Sequence, residues 1–459
     1  MYYKWILPTI LFAILFQAIP SYSQSITVQD SLIEVYTLQL TSAKNDYDKA
    51  STLFHLLKLE STDSLRNHNY QEELIHLAKE SENPKINNLL KLSEALSSNI
   101  RGDYSKQNEI FKLFFEEEYN DKDSLLLAGV YAAWAEAAEK MGDYQKALRQ
   151  LDKADDYLLR TDHVQEALIK VNVLTLRSAL LRMDGKVEKA MKEINKALDI
   201  LEKYNIEDNT RQQINKANLL YTAGKIPESY KTFVKVAAYT KKQGMYENAI
   251  VANMNASFVS KTLMDIDGAL KHNKEALELS KKIGHKNFEA TSYLNISSNY
   301  SYQKDHKSAM QNAKNALPLT KELKNIPLLV RNYYAVGSIY SEIDKRDSSI
   351  YYLEQCLKIM DSENIDGLQF YENRVHRSLG MIYQEAGDNE KAIHHLEKYF
   401  SLVKDKADLD VGSDVHKWLS RSYKAVGELE QAFYHLSQHQ LLKDSLYTTE
   451  NVRKTTEIK

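Results

Sequence analysis

The chain has 459 residues and a net charge of −3, from 60 basic and 63 acidic side chains, which gives no electrostatic footprint for nucleic acid. A single cysteine, Cys356, excludes an internal disulfide. With 14 Gly and 6 Pro there is no flexible linker, and no stretch alternates as strands do, so the composition predicts an all-helical chain.

Residues 1–23 differ from the rest. Lys4 precedes a mostly apolar run from Trp5 to Ile19, and Pro20-Ser21-Tyr22-Ser23-Gln24 offers small residues for cleavage after Ser23. This is the anatomy of a secretory signal peptide, so an exported, most plausibly periplasmic protein is expected. The rival reading is an uncleaved N-terminal membrane anchor, for which the apolar run falls short of the roughly 20 residues that span a bilayer. No Cys follows the cleavage point to carry a lipid.

Residues 24–120 carry weak echoes of a pattern that becomes regular further on, in Asp46-Tyr47 with Ala50 and in Gly102-Asp103-Tyr104 with Gln107. They read as degenerate helical repeats forming an N-terminal cap.

Across 121–442 a small residue returns at Ala147, Ala190, Ser229, Ala269, Ala309, Ser349, Ala392 and Ala432, at intervals of 43, 39, 40, 40, 40, 43 and 40. Such self-similarity marks a repeat architecture. Each small residue sits five after a turn signal, as in Gly142-Asp143-Tyr144-Gln145-Lys146-Ala147 and Gly387-Asp388-Asn389-Glu390-Lys391-Ala392. Four and seven residues later an apolar and then a small residue recur, Leu151 with Ala154 and Ile194 with Ala197, all on one helical face. Upstream of the turn a second helix shows Leu379-Gly380, Tyr383, Gly387, echoed by Leu419-Ser420, Tyr423, Gly427.

This arrangement resembles the tetratricopeptide repeat, a helix-turn-helix unit with small residues at its eighth, twentieth and twenty-seventh positions and aromatic residues at the eleventh and seventeenth. The resemblance covers about Leu125 to Leu442, in some eight repeats, and implies a right-handed superhelical solenoid of antiparallel helix pairs. Units of about 40 exceed the family's roughly 34 residues. The surplus falls between helix B of one unit and helix A of the next, where Gly244 and Gly284 should end successive B helices.

No phosphate-binding Gly loop, HExxH zinc helix or nucleophile elbow is present, so the chain does not read as an enzyme, and no cofactor is implied. His394-His395 and the i, i+4 pair His435 and His439 are suggestive of metal binding. Neither has a third ligand nearby, and His439 falls on a packing position, so no metal site is expected. Glu116-Glu117-Glu118 reads as a solvated face.

In the repeat family the second, fifth, sixth and ninth positions of helix A face a concave groove in which extended peptides bind. By that resemblance the sixth positions are Asn215, Asn255 and Asn295, with Asn218 at a ninth. A row of carboxamides offers donors and acceptors to a peptide backbone irrespective of its side chains; the alternative is that these asparagines hold helix pairs together. Further along the groove should turn basic, with Arg331 and Arg374 at second positions, Arg377 and Lys417 at fifth and Arg421 at a ninth, suited to an anionic segment. The carboxylate clamp of chaperone-binding relatives is not reproduced, because Ile214 and Thr291 stand where its lysines belong.

After Leu442 a polar, charge-mixed tail, 443–459, reads as a helix without a cap. It is similar to the exit from the repeat array in exported bacterial tetratricopeptide sensors. Two functions follow: a scaffold binding a peptide or protein partner in its groove, or the sensory module of a signalling system biasing a membrane-bound partner, with a histidine kinase or helix-turn-helix output encoded elsewhere or lost.

Overall fold

Among the described residues the chain is helical without a strand. The structure, a computed structural model, describes residues 33 and 36–457, except 60–63, 101–102, 117–123, 159–163, 207, 324, 364–367 and 404–408. The expected signal segment, Gly102, and Glu117 and Glu118 lie outside the described residues. The helices are α1 (Asp46–Leu59), α2 (Ser64–Glu80), α3 (Pro84–Ile100), α4 (Tyr104–Glu116), α5 (Ser124–Lys140), α6 (Tyr144–Tyr157), α7 (Val164–Met183), α8 (Val187–Lys203), α9 (Thr210–Thr222) and α10 (Ile226–Lys242). They continue as α11 (Tyr246–Thr262), α12 (Ile266–Lys282), α13 (Lys286–Tyr302), α14 (His306–Glu322), α15 (Ile326–Glu342), α16 (Arg346–Glu363), α17 (Gln369–Ala386), α18 (Asn389–Val403), α19 (Leu409–Ala425) and α20 (Leu429–Glu457).

The chain forms two compact bodies, divided between Val236 and Ala237 inside α10. In the first, α5 packs on α6 and α7 on α8, while α1 to α4 make the irregular N-terminal part. The echo at Gln107 is a helix-turn-helix in which the glutamine is fully buried on α4, in the place of a small residue, with its side-chain NH2 unpartnered. The core of this body includes Phe111, Phe114, Trp134, Leu151 and Leu180. In the second body α11 packs on α12, α13 on α14, α15 on α16, α17 on α18 and α19 on α20, and buried clusters run from one pair into the next, as Ala309 and Ala313 of α14 with Val336 and Ile339 of α15.

Two devices make each pair. The first is the turn. Position fifteen of all eight regular repeats has positive φ: Gly142, Gly185, Gly224, Met264, Lys304, Asp344, Gly387 and Gly427. The left-handed residue lets the chain satisfy the last carbonyls of helix A, as in Asp143 N to Ala138 O at 2.9 Å and Asp265 N to Ser260 O at 3.0 Å. The next residue then caps helix B, Asp143 accepting from Lys146 N and Asp305 from Ser308 N, both at 3.0 Å. The second device is close approach at the small positions. Ala147, Ala190, Ala269, Ala309 and Ala392 are fully buried, and a Cβ on Gly380 would meet Leu396 Cγ at 2.5 Å. At five of these contacts a serine hydroxyl donates to the partner's carbonyl: Ser178 to Ala190, Ser297 to Ala309, Ser349 to Gly337 and Ser420 to Ala432 at 2.8 Å, and Ser229 to Ala217 at 2.7 Å.

The surplus length of the repeat is helical. Helices α11 to α15 run 17 residues each, so α12 continues to Lys282 and α13 begins at Lys286, with Gly284 (φ 67°) closing α12 as Gly244 (φ 75°) closes α10. Among the described residues no helix is long and apolar enough to cross a membrane.

Candidate functional site

The two bodies carry charge differently. In the first body a cavity of about 450 Å³ is lined by Asp155, Lys170, Arg177, Glu193 and Lys196 among others. Its charges neutralise one another: Lys170 bonds Asp155 at 2.6 Å, Arg177 reaches Asp155 at 2.7 Å and Asp152 at 3.1 Å, and Lys196 meets Glu193 at 2.8 Å. Asn215, half-buried on α9, directs its NH2 to Thr175 O at 3.5 Å, beside Gln212 on Thr175 Oγ1 at 3.1 Å. Asn218 is 1 % exposed, and neither end of its carboxamide has a partner.

In the second body the asparagines are also drawn inward. Asn255 is 3 % exposed and its NH2 is unpartnered. Asn295 belongs to a chain of contacts across four helices: Asn273 on α12 donates to Ser257 Oγ on α11 at 2.5 Å, and Asn295 on α13 donates to Asn273 Oδ1 at 3.4 Å. Arg331 on α15 then donates to Asn295 Oδ1. So Asn215 and Asn295 join neighbouring helices, and Asn295 also orients an arginine.

That arginine is part of a cationic cluster. Lys261, on α11 at position twelve of its repeat, is half-buried, with Nζ 3.1 Å from Ser298 Oγ and 5.4 Å from the centre of the Tyr302 ring. Arg374 on α17 stacks its guanidinium 4.2 Å over Phe370. Tyr371, buried beside it, meets the Tyr334 ring at 5.9 Å. The three cations share one field. Burial, and then the charges of Arg331 and Arg374, push the Lys261 amine down to about 8. Burial raises the Tyr371 phenol, and the same two arginines oppose that rise. Among the described residues no carboxylate counters the lowering of the Lys261 amine. At the same position twelve in the first body, Arg182 is also lowered by burial, but there Glu139 opposes it.

Of the residues named from the sequence, the second body therefore brings Arg331, Arg374 and Asn295 together. Arg377 and Lys417 are half-buried on α17 and α19 and Arg421 is exposed, and none of these three acts on Lys261 or Tyr371. Sequence reasoning passed over Lys261, Ser298, Asn273 and Tyr371. Lys261 was within reach, because position twelve across the eight repeats reads Glu139, Arg182, Tyr221, Lys261, Ser301, Ser341, Gln384 and Lys424, in which Arg182 follows an acidic residue and Lys261 and Lys424 follow uncharged ones.

The histidines pair with other helices. His376 and His395 bring their Nδ1 atoms to 2.9 Å, and His416 and His435 to 2.8 Å, at identical repeat positions. His272 meets Asn253 Oδ1 there at 2.8 Å. Tyr383 stacks on His395 at 5.6 Å and bonds Glu354, and Tyr423 stacks on His435 at 5.5 Å and bonds Glu397. His439 turns instead to Ser413, at 2.8 Å. Among the described residues no three His, Cys, Asp or Glu side chains gather as metal ligands. Cys356 is fully buried, and burial holds its thiol well above the usual range.

Paired helices, left-handed turns at position fifteen and small-residue contacts define a tetratricopeptide-repeat array. The chain carries tetratricopeptide repeats: the family profile described as tetratricopeptide repeat matches residues 330–359 and 378–403. Among solved structures, the apo form of RapI is similar with a TM-score of 0.54 and 13 % identity over 79 % of this chain and 98 % of that one. The apo form of the quorum sensor NprR from B. thuringiensis gives 0.54 and 13 % over 77 % and 97 %. A signal-transduction ATPase with a tetratricopeptide-repeat sensor, PH0952 from Pyrococcus horikoshii, gives 0.51 and 14 % over 86 % of this chain and 65 % of that one. At these identities the likeness is one of fold. No curated protein matches the chain in sequence.

Proposed function

We propose that the chain is a non-enzymatic binding scaffold whose second body holds an extended peptide, or a peptide-like segment of a protein partner, along its inner helices. The observation that carries this is a set of oriented cations with no counter-charge among the described residues, Lys261, Arg331 and Arg374, in the same body as the unpartnered NH2 of Asn255. Leaving such groups half-buried and uncompensated costs stability, and a ligand supplying the missing partners recovers it. In the first body's cavity the described charges pair with one another and leave no comparable set of uncompensated groups.

A random-peptide display selection on the full chain tests this, followed by titration of a selected peptide into the chain and into the Asn255→Ala, Asn295→Ala double variant. Binding weakened tenfold or more by the double variant supports the scaffold. A selection that yields no peptide, or peptides indifferent to both substitutions, sinks it. Export is part of the same proposal, and recovery from a periplasmic fraction of a chain starting at Gln24 is the supporting result.

A further inference from the structure

We propose that Lys261, Arg331 and Arg374 form a carboxylate-recognition subsite, so that the peptide taken by the second body must present an acidic group at this point. This rests on the peptide-binding reading and specifies it.

Each cation is held in place by an uncharged neighbour. Asn295 grips one edge of the Arg331 guanidinium and is itself anchored through Asn273 to Ser257. Ser298 accepts from the Lys261 amine, and the Phe370 ring supports the Arg374 guanidinium. Orientation is thus supplied without neutralisation, and none of the three enters an ion pair among the described residues. Elsewhere the chain pairs half-buried cations with carboxylates: Lys170 with Asp155, and Arg177 with Asp152 and Asp155. Three adjacent, half-buried positive charges repel one another and are stable together only in so far as something anionic joins them. A planar guanidinium with a free edge presents two parallel N–H donors, which match the two oxygens of a carboxylate. The aromatic rings around the cluster, Tyr302, Tyr334, Phe370 and Tyr371, lower the local dielectric and strengthen such a contact. The subsite lies on α11, α15 and α17, with Ser298 and Asn295 on the intervening inner helix α13, so an extended ligand crossing these helices passes it.

The test uses peptides from the display selection. Each is made with a free C-terminal carboxylate and as the C-terminal amide, and with each internal Asp or Glu kept or replaced by its amide. Affinities are measured for the parent chain, Arg374→Gln and Lys261→Met. One acidic group, terminal or internal, should prove necessary: its neutralisation should cost the parent tenfold or more and Arg374→Gln less than twofold, with the thermal melt of the variant unchanged. The terminal and internal arms show which carboxylate is used. Binding at pH 8 should also take up about half a proton, read by calorimetry in two buffers of different ionisation enthalpy, because a bound anion returns the Lys261 amine from about 8 toward its ordinary value. Lys261→Met should abolish that uptake. Peptides that bind the parent equally well charged or neutralised overturn the subsite and leave the scaffold standing. Failure to select any peptide removes both.

Discussion

At position fifteen of the repeat one backbone conformation is served by two kinds of residue. Five repeats place glycine there, and Met264, Lys304 and Asp344 adopt the same left-handed conformation at φ 65°, 61° and 56°. A side chain in that region crowds its own backbone, at a cost of roughly 1–2 kcal/mol. Around Gly387 an added Cβ would meet nothing within 4 Å, so a substitution there isolates the backbone cost from packing. Met264→Gly should therefore stabilise the chain and Gly387→Ala destabilise it, each by about 1 kcal/mol, with opposite shifts of the urea midpoint. Shifts of the same sign would show that the side chain of Met264, and not its backbone, decides the effect. This position also explains why the repeats were readable at all. The phase was carried by Ala147 and its successors, which steric contact requires to be small, whereas the turn residue is only preferred to be glycine.

A helix pair adds contacts that the single residue lacks. Gly380 faces Leu396 so closely that a Cβ would lie 2.5 Å from Leu396 Cγ. Gly380→Ala should overpack α17 on α18 and lower stability by about 1–3 kcal/mol, measured by chemical unfolding. The histidine pairs add a dependence on pH. Burial, followed by the neighbouring His395, depresses the His376 imidazole to about 3. Burial with His394 brings His395 to about 4, and burial with His435 brings His416 to about 4. Unfolded imidazoles titrate near 6.5, so between about pH 6.5 and 4 the unfolded chain binds more protons. Stability present above pH 6.5 is then lost as the pH falls toward 4. The pairing of His272 with Asn253 at the same two positions indicates that asparagine fits the first of them. The double variant His376→Asn, His416→Asn should lose less of its melting temperature than the parent between pH 7 and 5, and an identical loss would place the acid sensitivity elsewhere. At this scale the sequence was less legible. Arg331 and Arg374 were visible because their positions face inward in the repeat family, but the partners that orient them, Asn273, Ser298 and Phe370, sit on other helices at offsets that no periodicity within one helix announces. The asparagines at the sixth positions looked like a free ladder because sequence spacing reports a shared face and not the bonds made across it.

Over the whole molecule the contacts are local in sequence, each helix pair meeting chiefly its neighbours in the array. Stability in such a chain is close to a sum of unit and interface contributions, and a local loss need not unfold the rest. Global two-state behaviour is therefore not expected, and a single melting temperature averages over units that open separately. The overpacked Gly380→Ala variant distinguishes the cases. Hydrogen exchange should quicken in α17 and α18 and, to a smaller degree, in α15, α16 and α19, which pack beside them in the second body, while amides of α5 to α8 in the first body keep their parent rates. A change of about 1–3 kcal/mol corresponds to roughly five- to 150-fold faster opening where opening is local, so the contrast between α17 and α6 is large enough to read peptide by peptide. Equal acceleration along both bodies would mean that the array unfolds as one unit, and ligand binding in the second body would then stabilise every repeat alike.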